Sequence, residues 1–180
     1  EEFWDNLQAG RDCIEEIPAD RWDHNRVFDP EPGTPGKSYS RWGGFLRDVD
    51  RFDHSFFHIS PRQARYMDPQ ERLLLQEVWH ACEDAGIPPS LLAGRPVGVY
   101  AGVMYSQYEL WGMGPDAYHS DYLGASYASI VNRVSHYYDL HGPSVAIDTM
   151  CSSSLVALEQ ASDALLAGRI EYAVVAGVNL

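Results

Sequence analysis

The residue with the clearest capacity for chemistry is Cys151, set in the run Asp148-Thr149-Met150-Cys151-Ser152-Ser153-Ser154. Upstream, Val145-Ala146-Ile147 reads as a short apolar strand, and downstream Ser152 to Ala167 reads as a helix. A cysteine at the first turn of a helix faces unpaired amides and the positive end of the helix dipole, which favour thiolate over thiol. The same amides can bind the oxyanion that forms when a thiolate attacks an ester or thioester carbonyl. The small side chains of Ser152, Ser153 and Ser154 leave room for such a carbonyl to approach. Taken alone, however, a cysteine at a strand-to-helix turn is more often a small buried apolar residue than a nucleophile.

Other chemistries find less support. The nucleophile elbow of serine hydrolases needs Gly on both sides of the nucleophile in G-x-S-x-G, and Thr149 and Ser153 hold those places. Cys82, between Ala81 and Glu83 of an amphipathic segment, reads as core; Cys13, in the polar run Arg11-Asp12-Cys13, has no local device to activate it. Three cysteines without C-x-x-C spacing suggest neither a disulfide framework nor a zinc site, and they fit a reducing cytoplasm. The seven histidines include no H-E-x-x-H pair, so no metal is expected. Lys and Arg number 13 against 26 Asp and Glu, and a net charge of −13 argues against general binding to nucleic acid. No apolar run approaches the ~18 residues of a membrane span, and the acidic Glu1, Glu2 and Asp5 are unlike the basic opening of a secretory signal.

The elements that must position Cys151 follow from periodicity and punctuation. Glu2 to Gln8 reads as a short helix packing Phe3, Trp4 and Leu7, and the Pro- and Gly-rich stretch from Asp29 to Ser40 reads as a surface loop. Asp68-Pro69-Gln70-Glu71 is a strong helix start, with Asp68 as cap and Glu71 placed to complete a capping box. Leu74, Val78, Ala81 and Ala85 then recur at helical spacing until Gly86 and Pro88-Pro89 stop the helix. Val97 to Ala101 is a strand whose Gly98 suggests close backbone packing. Tyr122 to Tyr138 is a second long helix, ended by His141-Gly142-Pro143, and Tyr172 to Val178 is a buried strand. The Ser152–Ala167 helix is small or apolar almost all round, so it is expected to be central. Strand, turn, buried helix and strand is the pattern of an α/β layered fold.

The long string Gly142-Pro143-Ser144-Val145-Ala146-Ile147-Asp148-Thr149-Met150-Cys151-Ser152-Ser153-Ser154-Leu155 closely resembles the nucleophile segment of β-ketoacyl synthases, specifically the ketosynthase domains of modular polyketide synthases. Phe52-Asp53-His54-Ser55-Phe56-Phe57-His58-Ile59-Ser60-Pro61-Arg62 and Met67-Asp68-Pro69-Gln70-Glu71-Arg72-Leu73-Leu74-Leu75 are similar to earlier segments of the same family, so the resemblance runs over essentially the whole chain. It implies the N-terminal part of a thiolase-like α-β-α-β-α layered domain that acts as a homodimer. It implies Cys151 as acyl-thioester nucleophile, with its backbone amide in the oxyanion hole. Substrates would arrive on the phosphopantetheine of an acyl carrier protein, with no cofactor bound by the domain itself. Decarboxylation of a malonyl-type extender would then give the carbanion that attacks the Cys151 thioester.

Two departures qualify that pattern. Met150 stands where the family usually has Ala. Together with Ala128-Ser129-Ile130-Val131-Asn132-Arg133-Val134-Ser135, it looks most like assembly lines whose acyltransferase is a separate protein. No His follows Cys151, whereas the family's two catalytic histidines lie downstream, so none of the histidines present inherits that role. A non-elongating ketosynthase that only transfers acyl chains, and a non-catalytic docking fragment, therefore stay open. Met104, Tyr105, Tyr108, Met113 and Tyr118 could line an acyl tunnel, with core packing at least as good a reading. Arg62, Arg65 and Arg72 could share one helical side facing an acidic carrier, a solvated charged face being the plainer reading. Residues 1–180 are expected to be part of a longer domain, inactive and poorly soluble when expressed alone.

Overall fold

The computed structural model describes residues 2–105, 107–108 and 126–180. The chain divides into two compact units, Glu1–Asp48 and Val49–Leu180.

The first unit holds helix α1 (Glu2–Gln8), strands β1 (Glu15–Glu16) and β2 (Trp42–Gly43), and a short 3-10 turn at His24–Arg26. The strands pair antiparallel, Glu15 opposite Gly43 and Glu16 opposite Trp42. Polar ties hold them: Arg47 reaches Glu15 at 2.6 Å, while Arg41 and His24 both reach Glu16. The Arg41 guanidinium also lies over the rings of Phe28 and Trp42. Asp29 to Ser40 forms no regular element, as its prolines and glycines demand. The expected packing of Phe3, Trp4 and Leu7 is not found: all three are more than half exposed. The reason is size, since none of the described residues of this unit is buried. It is tied by ion pairs and a two-stranded ladder rather than by a core.

The core lies in the second unit, with helices α2 (Pro61–Tyr66), α3 (Pro69–Asp84), α4 (Pro89–Leu92), α5 (Tyr127–Tyr137) and α6 (Ser153–Leu166). Its strands β3 (Val97–Gly102), β4 (Ser144–Ile147) and β5 (Tyr172–Gly177) form a parallel sheet in the order β4-β3-β5. Side chains alternate across central β3, which is buried throughout. Val97, Val99 and Ala101 pack against Leu75 and Val78 of α3 and Ile130, Val131 and Val134 of α5. Tyr100 points the other way, to Ala157, Ala161 and Ala164 of α6. The result is a helix–sheet–helix sandwich, and each fully buried Val, Leu or Ile contributes about 1.5–3 kcal/mol to it.

Local sequence accounts for most boundaries. Asp68 caps α3 by accepting a hydrogen bond from the Gln70 amide at 2.8 Å, with Pro69 as the first helical residue. Glu71 does not close the expected capping box; its carboxylate turns to α5 and pairs there with Ser129 and Arg133. Ala81 and Ala85 lie outside the buried stripe, which runs through Leu74, Leu75, Val78 and Cys82. Gly86 ends the helix region at φ +65°. Of the expected 122–138 helix, residues 122–125 fall outside the described residues. Strand β5 is half-exposed rather than buried, because β3 covers only one of its edges among the described residues. Helix α6 is buried only along its alanine face: Leu155 and Leu166 are 70% and 87% exposed, with the sheet on one side only.

Candidate functional site

Strand β4 ends at Ile147 and α6 begins at Ser153, and the residues between them make a sharp elbow. Cys151 sits just ahead of the helix, next to the cap residue Ser152, rather than within the first turn as the sequence suggested. The chain reverses because Met150 adopts the left-handed conformation, φ +57°. That geometry costs a non-glycine residue about 1–2 kcal/mol and persists only where its surroundings enforce it.

The enforcement is visible residue by residue. Asp148 Oδ1 accepts a hydrogen bond from the Met150 amide at 3.1 Å, closing an Asx turn. Ser153 Oγ accepts from the Thr149 amide at 2.9 Å and donates to the Met150 carbonyl at 2.7 Å, so one buried hydroxyl spans the elbow. Ser152 Oγ lies 2.8 Å from the Thr149 carbonyl. The amides of Ser152 and Ser153 bond back to the carbonyls of Thr149 and Met150. Among the described residues, none of these hydrogen bonds uses the amide of Cys151. The serines thus do more than make room for a carbonyl, and the sequence signal for the bracing by Ser153 is the density of Asp, Thr and Ser around the turn.

Two glycines bring the helix start down onto the sheet. Gly102 of β3 and Gly177 of β5 are partners in the parallel ladder. A methyl group on Gly102 would lie 2.7 Å from the Ser154 amide nitrogen, and one on Gly177 would lie 2.5 Å from Ser154 Oγ. At Gly102 only hydrogen fits against the backbone of the helix start, whereas at Gly177 the Ser154 hydroxyl would have to turn aside. The exposed Cys151 consequently opens into a cleft of about 500 Å³ at the carboxyl ends of β3 and β5. Met104, Met150 and Val178 supply apolar lining, and Ser153, Ser154 and Asn179 supply polar lining. A crevice outside the carboxyl ends of parallel strands is where ligands of open α/β sheets bind. A thiol here can attack a carbonyl as its thiolate, and a backbone amide beside it can donate to the resulting oxyanion.

The remaining candidates separate cleanly. Met104 lines the cleft, but Tyr105 and Tyr108 do not: the Tyr105 carbonyl accepts from Gln70 Nε2 and the Tyr108 hydroxyl donates to the Arg65 carbonyl. Met113 and Tyr118 lie outside the described residues. Cys82 is core, and burial pushes its thiol up; exposed Cys13 donates its thiol to the Arg11 carbonyl. Among the described residues no histidine lines the cleft; His136 belongs to α5, and His141 pairs with Asp139 at 2.9 Å. Arg62, Arg65 and Arg72 do not share one helical side. The chain breaks at Met67, placing the first two on α2 and the third on α3, where half-buried Arg72 donates to the Asp50 carbonyl.

Comparison with known proteins matches residues 1–180 to the family model described as Beta-ketoacyl synthase, N-terminal domain. Polyketide synthase ThaG of Burkholderia thailandensis is 56% identical over 99% of the chain, and polyketide synthase PksL of Bacillus subtilis is 53% identical over all of it. The chain spans only 3% and 4% of those proteins' lengths. Among solved structures, the oxazolomycin ketosynthase domain OzmH KS7 of Streptomyces albus is 51% identical with a TM-score of 0.91, covering 99% of this chain and 32% of its own. The ketosynthase from module 6 of the bacillaene synthase of Bacillus subtilis is 38% identical with a TM-score of 0.88, covering 99% and 29%. The layered α/β fold is accordingly thiolase-like, as these ketosynthase domains are.

Proposed function

The chain belongs to the β-ketoacyl synthase family, and from that premise we propose that it is the nucleophile-bearing, N-terminal portion of one polyketide-synthase ketosynthase domain. The observation that carries the proposal is exposed Cys151 on its braced elbow, at the mouth of a partly apolar cleft. The Cys151 thiolate attacks the carbonyl carbon of an acyl thioester on the phosphopantetheine of an acyl carrier protein. Negative charge collects on the carbonyl oxygen, where the Cys151 amide can meet it. The bond to the carrier sulfur then breaks, that sulfur takes up a proton, and the acyl group remains on Cys151. A malonyl-type extender on a carrier next loses carbon dioxide, and the electron pair of the broken bond attacks the Cys151 thioester carbon. A carbon–carbon bond forms, the Cys151 thiolate leaves, and the chain is two carbons longer. No bound cofactor is required for these steps.

Partners follow from the same reading. An acyl carrier protein delivers the substrates, and a second copy of the domain completes a homodimer, consistent with β4 standing at an edge of the described sheet. Met150 and the Ala128–Ser135 segment favour an assembly line served by a separate acyltransferase. Among the described residues no helix is long and apolar enough to cross a membrane, which suits work in the cytoplasm. Residues 1–180 alone are expected to be inactive and prone to associate, with Leu155, Leu158 and Leu166 of α6 exposed.

The test is acylation of the intact parent domain by an acyl thioester, read by intact mass and located by peptide mapping. Acyl transfer to Cys151 and its loss in Cys151→Ala is the expected result. Equal labelling of the variant would overturn the assignment.

A further inference from the structure

The wall of the Cys151 cleft is held in place by two side chains that do not line it. Met104 lines the cleft, and it lies beyond the end of β3, where the sheet ladder no longer fixes the backbone. Its carbonyl accepts a hydrogen bond from the Tyr127 hydroxyl, from the first residue of α5, at 2.7 Å. The next carbonyl, that of Tyr105, accepts from Gln70 Nε2, in the first turn of α3, at 2.9 Å. Two consecutive carbonyls are thus gripped by two different helices.

Those helix starts are themselves tied together. Buried Glu71 of α3 receives the Ser129 hydroxyl and, at 2.9 Å, Arg133 Nε, both from α5. Gln70 is aimed by Asp68, whose carboxylate accepts from both its backbone amide and its side-chain amide. Gln70 Oε1 is left buried without a hydrogen-bond partner among the described residues. An unsatisfied buried acceptor is disfavoured, and the arrangement tolerates it while directing the Gln70 donor at the backbone beside Met104.

We propose that Tyr127 and Gln70 are positioning residues that set the bulk of acyl group admitted at Cys151, by fixing the Met104 wall of the cleft. The inference rests on the reading of Cys151 as acyl acceptor. Neither residue touches the reacting atoms; each acts through the Met104–Tyr105 backbone. A net protein hydrogen bond corresponds to roughly a twofold to tenfold factor, and its loss at this wall should affect bulky groups differently from small ones.

The experiment uses Tyr127→Phe, which removes one hydroxyl and keeps the ring, and Gln70→Met as a second variant, each in the intact parent domain. Two readouts are taken at Cys151 by peptide mass. One is the ratio of acylation rates for an acetyl and a branched longer-chain thioester. The other is the ratio of alkylation rates for iodoacetamide and a bulky N-substituted maleimide, which senses cleft shape without requiring ketosynthase chemistry. Both ratios are expected to change by about threefold or more in Tyr127→Phe and in the same direction in Gln70→Met. Unchanged ratios in both variants, with or without a drop in melting temperature, would make the two residues structural and overturn the proposal. An altered alkylation ratio in a domain that never acylates Cys151 would support the wall and defeat the acyl-acceptor reading. Loss of both would remove the inference with its premise.

Discussion

Gly102 and Ser154 approach so closely that a methyl group on the glycine would sit 2.7 Å from the Ser154 amide nitrogen and 2.9 Å from the preceding carbonyl carbon. The atoms met are backbone atoms in the first turn of α6, which cannot rotate aside. Depth of the helix start against the sheet is therefore set by the absence of one side chain, and the placement of Cys151 at the cleft follows from that depth.

This contact predicts different behaviour at two glycines. Gly102→Ala must push the α6 backbone outward, and overpacking of that kind costs about 1–3 kcal/mol. Gly177→Ala would meet the Ser154 hydroxyl at 2.5 Å, the end of a side chain. Adding Ser154→Ala should therefore restore much of the stability lost in Gly177→Ala and none of that lost in Gly102→Ala. Urea unfolding of the intact parent domain with the three single and two double variants gives the comparison. Equal rescue at both positions would mean that the hydroxyl, not the backbone, sets the approach.

A second expectation concerns Met150. Its side chain is 58% exposed, so replacing it removes little packing, while its φ of +57° is one that glycine alone adopts without strain. Met150→Gly should be more stable than Met150→Ala by about 1 kcal/mol, the reverse of the usual order of alanine over glycine. Alanine as the more stable variant would mean that the elbow is not left-handed in solution.

The elbow was legible in the sequence because its parts are local: an apolar strand, a turn rich in Asp, Thr and Ser, then a helix of small residues. The starts of α3 and β3 were legible for the same reason, through Asp68-Pro69 and the Val97–Ala101 run. What escaped was everything decided by distant partners. Nothing near Glu71 distinguishes a capping box from a pair with Arg133, 62 positions away. The apolar face of α6 reads as buried although Leu155 and Leu166 are exposed, since hydropathy reports the tendency of a face to be covered and not what covers it. The grip of Gln70 and Tyr127 on the Met104–Tyr105 backbone ends on carbonyl groups, which carry no sequence signature at all.

Thiol accessibility supplies a third test. Cys13 and Cys151 are exposed, and Cys82 is 7% exposed on the inner face of α3, with burial pushing its thiol up. Iodoacetamide at neutral pH should label Cys13 and Cys151 in the folded parent domain and spare Cys82 until urea is added. Acyl thioesters should modify Cys151 alone, because Cys13 is followed by no helix start to supply amides for the oxyanion. Acylation of Cys13 at a comparable rate would show that exposure, rather than the elbow, governs reactivity.

The buried Glu71 carboxylate makes stability depend on pH with a definite sign. Burial pushes its pKa above the ordinary 4.5, outweighing the Ser129 hydroxyl and the Arg133 guanidinium, which pull it down, and nearby Asp68 adds to the rise. The folded chain then holds this proton more tightly than the unfolded chain. Stability from this group is greatest below the unfolded value, declines as pH rises through the folded pKa, and is level above it. Glu71→Gln removes the titration while keeping an acceptor for Ser129. The stability of the native domain relative to Glu71→Gln should consequently increase as pH is lowered from 8 toward about 4.5, with the acid effects of carboxylates remote from Glu71 cancelling in the difference. The measurement is paired urea titration of the two proteins in the intact parent domain across that range. A difference that shrinks toward acid would mean that the ion pair with Arg133 outweighs burial, and that this carboxylate is held down rather than up.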